Sequence, residues 1–203
     1  MIIQIKNLSG FTLLEILVSI SVFLLIIGGI TTMLMQAMRS NKIVLEQLAT
    51  QNEGRMIIQN FTNELRRAAV SSIGAYPIEV AEPQQIIFYS NIDTDTWRER
   101  VRYFLDETTL KKGITKPAGN PLSYNPAAEV ITNVAYDVAN GAAQVFYYYD
   151  ENYAGSGASL ATPVNVSNVR LVKISLELEE DPYASPEPLH VETVAEVRNL
   201  KSN

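Results

Sequence analysis

The chain has 203 residues, no cysteine and a formal net charge of −6. The lack of cysteine excludes a disulfide framework, thiolate chemistry and cysteine metal ligands, and the length suits one domain plus an anchor. Residues 1–75 hold six Lys/Arg and four Asp/Glu, whereas residues 76–203 hold ten and eighteen. This acidic C-terminal part lacks the basic surface that binds phosphate backbones, so no direct nucleic-acid partner is expected.

An apolar run extends from Ile16 to Met35 without a charged residue. As an α-helix these twenty residues extend roughly 30 Å, the thickness of the hydrocarbon core of a bilayer. One carboxylate, Glu15, lies at the entry to the run, and no basic residue lies within one helical turn of it. Because a charge beside a membrane span is costly, Glu15 is expected to have a partner and a purpose. The nearest cation would be an α-amino group at Phe11, created by cutting the chain after Gly10.

The stretch SGFTLLEILVSISVF, at residues 9–23, resembles the class III signal of type IV pilins and type II secretion pseudopilins. The resemblance implies that a prepilin peptidase cleaves after Gly10 and that Phe11 is then N-methylated. It also implies that Glu15, the fifth mature residue, acts in subunit assembly. An ordinary signal-anchor helix with a glutamate at this place is the alternative interpretation. A conventional signal peptide fits less well, because the run is long and no A-x-A site follows it.

The pair Gly28-Gly29 interrupts the apolar run. Each glycine inside a helix costs about 1 kcal/mol relative to alanine in water, although membrane helices tolerate glycine better. One interpretation is close packing between helices through small residues. The other is helix flexibility, with local melting when a subunit leaves the lipid for a filament. The sequence leaves both open.

The chain becomes polar after Met38 but is predicted to stay helical to about Ser72, with Gly74 ending the helix. Apolar residues fall near one face of it, with a polar break at 52–55: Val44, Leu48, Ile58, Phe61, Leu65 and Ala68. The segment GRMIIQNFTNELRRA, at residues 54–68, resembles the corresponding helix of J-type pseudopilins and W-type minor pilins.

Short β-like runs between turn residues follow Pro77. Strands are predicted at 86–89, 100–105, 145–149, 172–178 and 191–200, a strand or short helix at 130–138, a loop at 112–126 and a turn at 181–188. These elements predict an α+β fold with one long N-terminal helix packed against an antiparallel β-sheet head. The predicted domains are a leader at 1–10, a transmembrane and filament-core helix at 11–38, an amphipathic helix at 39–75 and the head at 76–203.

The sequence contains little that indicates an enzyme active site. His190 is the only histidine and is expected to be a surface residue. Asp93 and Asp95, with Glu99 nearby, are weak calcium candidates, because carboxylate oxygens are the ligands that calcium prefers. A solvated hairpin turn is the alternative for these acidic residues. We therefore expect a protein that is not an enzyme and needs no cofactor.

Two classes of function follow from these observations. The first is a structural filament subunit, expected to be a minor one in an initiating complex at the tip; a major pilin is the alternative within this class. The second is a membrane-anchored binding module or enzyme with a pilin-like leader. The resemblance implies as partners the prepilin peptidase, other pilin or pseudopilin subunits, the assembly platform of the inner membrane and, before assembly, the lipid bilayer. It implies a single pass through the cytoplasmic membrane with an extracytoplasmic C-terminal head, and later a periplasmic or extracellular filament.

Overall fold

The computed structural model of the protein describes residues 10–179 and 188–200. The predicted leader, except Gly10, and nearly all of the predicted turn at 181–188 lie outside the described residues. The chain divides into two compact units, Met1–Leu45 and Glu46–Asn203. The first unit contains the start of the long helix, and the second contains its end and the β-sheets.

The helix α1 covers Leu13–Arg66. In the second unit its buried side consists of Gly54, Ile57, Phe61 and Leu65, which recur every three to four residues as on one helical face. Ile57 is therefore buried where Ile58 was predicted, and Ile58 is only partly buried.

α1 continues through the predicted polar break at 52–55, as the prediction of one continuous helix requires. Gly54 is buried there at a close approach between the helix and two side chains of the sheet. A Cβ added to Gly54 would lie 2.8 Å from Val191 Cγ2 and 3.3 Å from Leu178 Cδ1. A glycine at this position lets the helix pack closely on the sheet.

The helix ends at Arg66, before the predicted end near Ser72. The chain leaves the helix because its backbone forms hydrogen bonds outside the helix instead of within it. The amide of Ala69 donates to the carbonyl of Tyr89 at 2.9 Å. A turn follows, in which the amide of Ser71 donates to the carbonyl of Ala75 at 2.9 Å. Gly74 lies in this turn with φ of +91°, a conformation that favours glycine.

Two antiparallel sheets and a short two-stranded ribbon make up the described β-structure. The five-stranded sheet has the order β1-β2-β3-β4-β7, with strands β1 Ile78–Glu82, β2 Gln85–Ser90, β3 Glu99–Asp106, β4 Thr109–Thr115 and β7 Val130–Ala135. The three-stranded sheet has the order β10-β9-β8, with strands β8 Phe146–Tyr149, β9 Leu171–Leu178 and β10 Leu189–Glu196. The ribbon pairs β5 Pro117–Ala118 with β6 Ser123–Tyr124.

The predicted fold class is confirmed: one long N-terminal helix precedes antiparallel sheets. The loop predicted at 112–126 begins too early, because residues 112–115 belong to β4. Gly113, which suggested a loop, instead pairs with Arg102 of β3 and Ile131 of β7.

Phe61 of α1 joins the two sheets in one aromatic cluster. Its ring centroid lies 6.4 Å from that of Phe88, 5.2 Å from that of Tyr103 and 5.7 Å from that of Phe146. Phe88 and Tyr103 come from the five-stranded sheet, Phe146 comes from the three-stranded sheet, and all four side chains are buried. Aromatic pairs of this kind are worth about 0.5–1.5 kcal/mol beyond their buried area. This cluster therefore fixes the end of α1 to both sheets.

Candidate functional site

The start of α1 is built around Thr12. The amide of Glu15 donates to the Thr12 hydroxyl oxygen at 3.3 Å and to the Thr12 carbonyl at 3.1 Å. The spacing Thr12-Leu13-Leu14-Glu15 is that of a capping box, in which Thr satisfies a helical amide and Glu follows at the third position. Glu15 also lies in the first helical turn, where the helix dipole favours a negative charge. The T-x-x-E pattern at residues 12–15 is a local signal from which this cap could have been predicted.

The predicted processing residues lie together at this exposed helix start. Phe11 is 80% exposed, and Gly10 is also exposed. A Cβ added to Gly10 would meet no atom within 4 Å, so the described fold imposes no requirement for glycine there. Within the described residues, no hydrogen bond or ion pair involves the Glu15 carboxylate.

The apolar run from Ile16 to Met35 is exposed along its whole length in this single chain. Among the described residues, α1 is the one helix long and apolar enough to cross a membrane, judged by length and composition. So large an apolar surface marks contact with lipid or with other proteins.

Hydroxyl groups within this run are satisfied by the helix itself. The hydroxyls of Ser19 and Ser21 donate to the carbonyls four residues earlier, Glu15 and Leu17, at 2.7 Å and 2.8 Å. In an apolar surrounding an unpaired hydroxyl is costly, and these bonds remove that cost.

Gly28 and Gly29 lie within continuous α-helix. The hydroxyls of Thr31 and Thr32 donate to the carbonyls of Gly28 and Gly29 at 2.9 Å and 2.8 Å. A Cβ added to either glycine would meet no atom within 4 Å. The single chain therefore gives no packing reason for the glycine pair, and its role in helix flexibility or in contact with another helix stays a prediction.

Asp93 and Asp95, the weak calcium candidates, lie in the turn between β2 and β3. The ammonium of Lys116 binds Asp93 and lies 3.6 Å from Asp95 Oδ2. The turn also brings Glu99, the first residue of β3, close to the two aspartates.

His190 lies on β10 between two carboxylates. Its Nδ1 is 2.6 Å from Glu177 Oε1 and its Nε2 is 3.4 Å from Glu192 Oε2. The hydrogen bond to Glu177 is the main cause that raises the pKa of His190 above its ordinary value. The imidazole is half exposed, in agreement with the prediction of a surface histidine.

Comparisons with known proteins agree with the motif at the helix start. The model of the prokaryotic N-terminal methylation motif matches residues 5–31. No curated protein matches the sequence. One similar solved structure is the GspK-GspI-GspJ complex from the type 2 secretion system of enterotoxigenic Escherichia coli, with 9% identity and a TM-score of 0.41. The match covers 73% of this chain and 97% of the chain in that complex, and at this TM-score it assigns no function or partner. The chain therefore carries the prokaryotic N-terminal methylation motif at the start of an α+β fold in which one long helix precedes antiparallel sheets.

Proposed function

We propose that this protein is a structural minor subunit of a type IV pilus or of a type II secretion pseudopilus. One observation carries the proposal: the methylation motif lies directly at the start of a 54-residue helix whose apolar run is fully exposed. A helix of this kind needs lipid before assembly and neighbouring helices after it.

Processing is the first step of the proposed function. A prepilin peptidase cuts after Gly10 and the new amine of Phe11 is methylated. Glycine suits the cut because it has no Cβ and allows close approach of another backbone. Since an added Cβ at Gly10 would meet no atom of the described residues within 4 Å, the need for glycine comes from the peptidase rather than from the described fold.

Assembly is the second step. The single-pass helix at residues 11–38 leaves the cytoplasmic membrane through the assembly platform and packs against the same segment of other subunits. Residues 39–75 connect it to the head at 76–203, which stays on the extracytoplasmic side. Glu15 guides assembly by pairing with the amine of Phe11, and Gly28 and Gly29 let the helix adapt to its neighbours.

Processing is tested with Gly10→Val. We expect a full-length precursor in the membrane, whereas the wild-type chain yields a mature form that begins with methylated Phe11, measured by mass spectrometry. Gly28→Ala is the matched control, since it changes a glycine of the same segment beyond the cut and should leave cleavage intact. Mature, methylated Phe11 in Gly10→Val would contradict the assigned role of Gly10. A wild-type chain that stays full-length would contradict the proposal and favour a membrane-anchored binding module with a pilin-like leader.

A separate experiment tests whether this chain is a minor subunit of the filament. Deletion of the gene should reduce the number of filaments, and the copy number of this chain in sheared filaments should stay far below that of the most abundant subunit. Quantitative proteomics of the filament fraction measures both. If this chain is the most abundant subunit, it is the major pilin.

A further inference from the structure

The strand β7 has an open outer edge. It is a terminal strand of the five-stranded sheet and pairs with β4, and no described strand lies on its other side. Residues 130–133 pair with β4 in regular register, and the one irregularity lies beyond them, towards Ala135. Among the described residues, no hydrogen bond reaches the backbone of 130–133 from the outer side. Alternate residues of this segment therefore offer their amides and carbonyls to another chain.

The side chains along this edge are exposed on both faces of the sheet. Val130 lies opposite Ile114 and Ile131 lies opposite Gly113, so Val130 and Ile131 point to opposite faces. Their side chains are 64% and 49% exposed. A strand added beside β7 would cover both through cross-strand contacts, best made by apolar or β-branched residues.

The terminal strand β10 of the other sheet differs from β7 in charge. β10 carries His190, Glu192 and Glu196, whereas the six residues of β7 include no charged residue and no proline. Charged residues and proline are the usual means by which a terminal strand avoids pairing with another chain. Because β7 lacks both, its edge is the one that suits the addition of a strand.

A groove of about 260 Å³ lies at the end of β7. Tyr136 and Asp137, which directly follow β7, line it together with Glu53 of α1 and Glu179, which follows β9. Asn133 Nδ2 donates to the Tyr136 hydroxyl at 2.9 Å, so the ring of Tyr136 is held to the strand. A chain that pairs with β7 therefore extends towards this groove.

The groove favours a positive charge. No ion pair within the described part of the chain involves Glu53, Asp137 or Glu179. The guanidinium of an arginine can bind carboxylates and also stack on the face of a tyrosine, here Tyr136, which is exposed. Since all described strand pairs are antiparallel, we expect an added strand to run antiparallel to β7. The residue that reaches the groove then precedes the paired residues of the added strand.

We propose that β7 is a docking edge for an extended segment of another protein. The segment pairs antiparallel with residues 130–133, carries β-branched or apolar residues there, and places an arginine or lysine that precedes them in the groove beside Tyr136. This is strand addition, in which backbone hydrogen bonds supply affinity and side-chain sites supply specificity. The proposal goes beyond the role of a filament subunit and does not depend on cleavage after Gly10.

A labelled synthetic peptide, Arg-Ser-Gly-Thr-Val-Thr-Val-Thr, tests the proposal on the full chain in detergent micelles. We expect saturable binding by fluorescence anisotropy that salt weakens, because the groove contributes through charge. Bound peptide should slow hydrogen exchange of the backbone amides of β7 and leave that of β10 unchanged. A second peptide with glutamate in place of the arginine should bind severalfold more weakly.

Variants separate the edge from the groove. Ile131→Lys places a charge on the open edge and should weaken binding of the arginine peptide severalfold. Val194→Lys is the matched control, since it adds the same charge at an exposed position of the other terminal strand, β10, and should retain binding. Glu179→Gln should weaken binding of the arginine peptide severalfold, but not that of a peptide with glutamine in place of the arginine. Circular dichroism verifies that each variant is folded.

Three results would overturn the proposal. The first is no binding of the arginine peptide, or equal binding by the wild type and by folded Ile131→Lys. The second is slow exchange of the outward amides of β7 without peptide, which would mean that this chain already covers its own edge. The third is a dimer of the wild type in analytical ultracentrifugation that Ile131→Lys abolishes, which would make a second copy the occupant of the edge.

Discussion

The carboxylate of Glu129 occupies the space that a side chain on Gly113 would need. A Cβ added to Gly113 would lie 2.2 Å from Glu129 Oε1. Gly113 is the cross-strand partner of Arg102, so Glu129 passes over the glycine to bind the guanidinium with two bonds of 2.8 Å and 2.5 Å. The Arg102 guanidinium also lies 3.8 Å from the ring centroid of Phe104. A glycine within β4 therefore makes room for an ion pair between β3 and the segment before β7.

Gly113→Ala is expected to destabilise the head by about 1–2 kcal/mol. Strand preference alone predicts the opposite sign, because glycine in a strand costs roughly 0.5–1 kcal/mol relative to alanine. The added Cβ displaces Glu129 and removes a charge-assisted pair worth about 1.5–3 kcal/mol, so the loss is larger than the gain. Urea denaturation of the full chain in detergent micelles measures the free energy of unfolding of the head.

The Glu129→Ala background is the control for this substitution. With the carboxylate gone, Gly113→Ala should be nearly neutral or stabilising. An equal loss of stability in both backgrounds would contradict the role of Glu129.

This pair shows why part of the sheet could not be predicted from the sequence. Alternating apolar residues predicted β9, and the runs at 86–89 and 100–105 predicted β2 and β3, because these signals are local. Gly113 suggested a loop rather than a strand. The sequence could not correct this, because the side chain that requires a glycine there, Glu129, lies sixteen positions later in the chain. Gly54 was placed in a polar break for the same reason: Leu178 and Val191, which pack on it, are distant in sequence.

Glu64 of α1 accepts hydrogen bonds from two strands of the five-stranded sheet. Its Oε2 accepts from the Tyr103 hydroxyl at 2.8 Å, and its Oε1 accepts from the Lys112 ammonium at 2.5 Å. Burial of Tyr103, followed by the charge of Glu64 and its hydrogen bond, raises the pKa of Tyr103 well above the ordinary value of 10.0. In the folded chain Tyr103 therefore keeps its proton at a pH where the unfolded chain has lost it.

This raised pKa predicts an alkaline loss of stability. Below pH 10 both states hold the Tyr103 proton, so its contribution is complete, and it falls as the pH rises from 10 towards the folded pKa. Tyr103→Phe should make the fall less steep above pH 10 by up to about 1.4 kcal/mol per pH unit. Urea denaturation from pH 8 to 11 measures this slope. Tyr136→Phe, which changes an exposed tyrosine, should leave the slope as in the wild type, and an equal slope in Tyr103→Phe would contradict the prediction.

His190 gives a second pH dependence, near neutral pH. It lies directly opposite Glu177 in the β9–β10 pairing, and the hydrogen bond to Glu177 is the main reason that its pKa is raised above 6.5. The stability that protonated His190 adds is complete below pH 6.5 and is lost as the pH rises through the folded pKa. An NMR titration of the single imidazole should show the raised pKa directly.

Two substitutions separate the contributions of the neighbours of His190. Glu177→Gln should return the pKa of His190 most of the way to its ordinary value, because it removes the 2.6 Å contact. Glu192→Gln should lower it less, because that carboxylate is 3.4 Å away and also binds Lys173. A pKa that neither change lowers would contradict this account.

The N-terminal segment could be recognised from the sequence because its motif is one short, continuous stretch of residues. The resemblance to prepilin signals depends on a short stretch of chain and on the continuous apolar run that follows, and the match to the methylation motif at residues 5–31 agrees with it. The roles of Gly10, Phe11 and Glu15 stay predictions from that resemblance. The cap at Thr12 was missed, although its spacing is equally local. The cap at Thr12 matters for function, because it offers a second explanation for a glutamate at position 15.

Glu15 is therefore expected to act in one of two ways. As a residue of the first helical turn it stabilises the start of α1 by about 0.3–1 kcal/mol through the helix dipole. As a partner of the methylated amine of Phe11 it fixes the axial register between subunits, because a shift of one residue separates the two charges. We expect the second effect to be the larger one, since a carboxylate buried in a filament without a partner would be strongly unfavourable and a paired one would be attracted more as water is excluded.

Two substitutions distinguish the cap from the pairing. Glu15→Val removes the carboxylate, so membrane insertion and cleavage should persist while incorporation into filaments and crosslinking to neighbouring subunits fall sharply. Thr12→Ala removes the cap and keeps the carboxylate, so it should assemble nearly as the wild type does if pairing is the function of Glu15. Both are measured by site-specific crosslinking and by counting filaments, with mass spectrometry of Phe11 to verify processing. Filament formation by Glu15→Val at the wild-type level would disprove the pairing, and an equal defect in Thr12→Ala would assign the effect to the helix start.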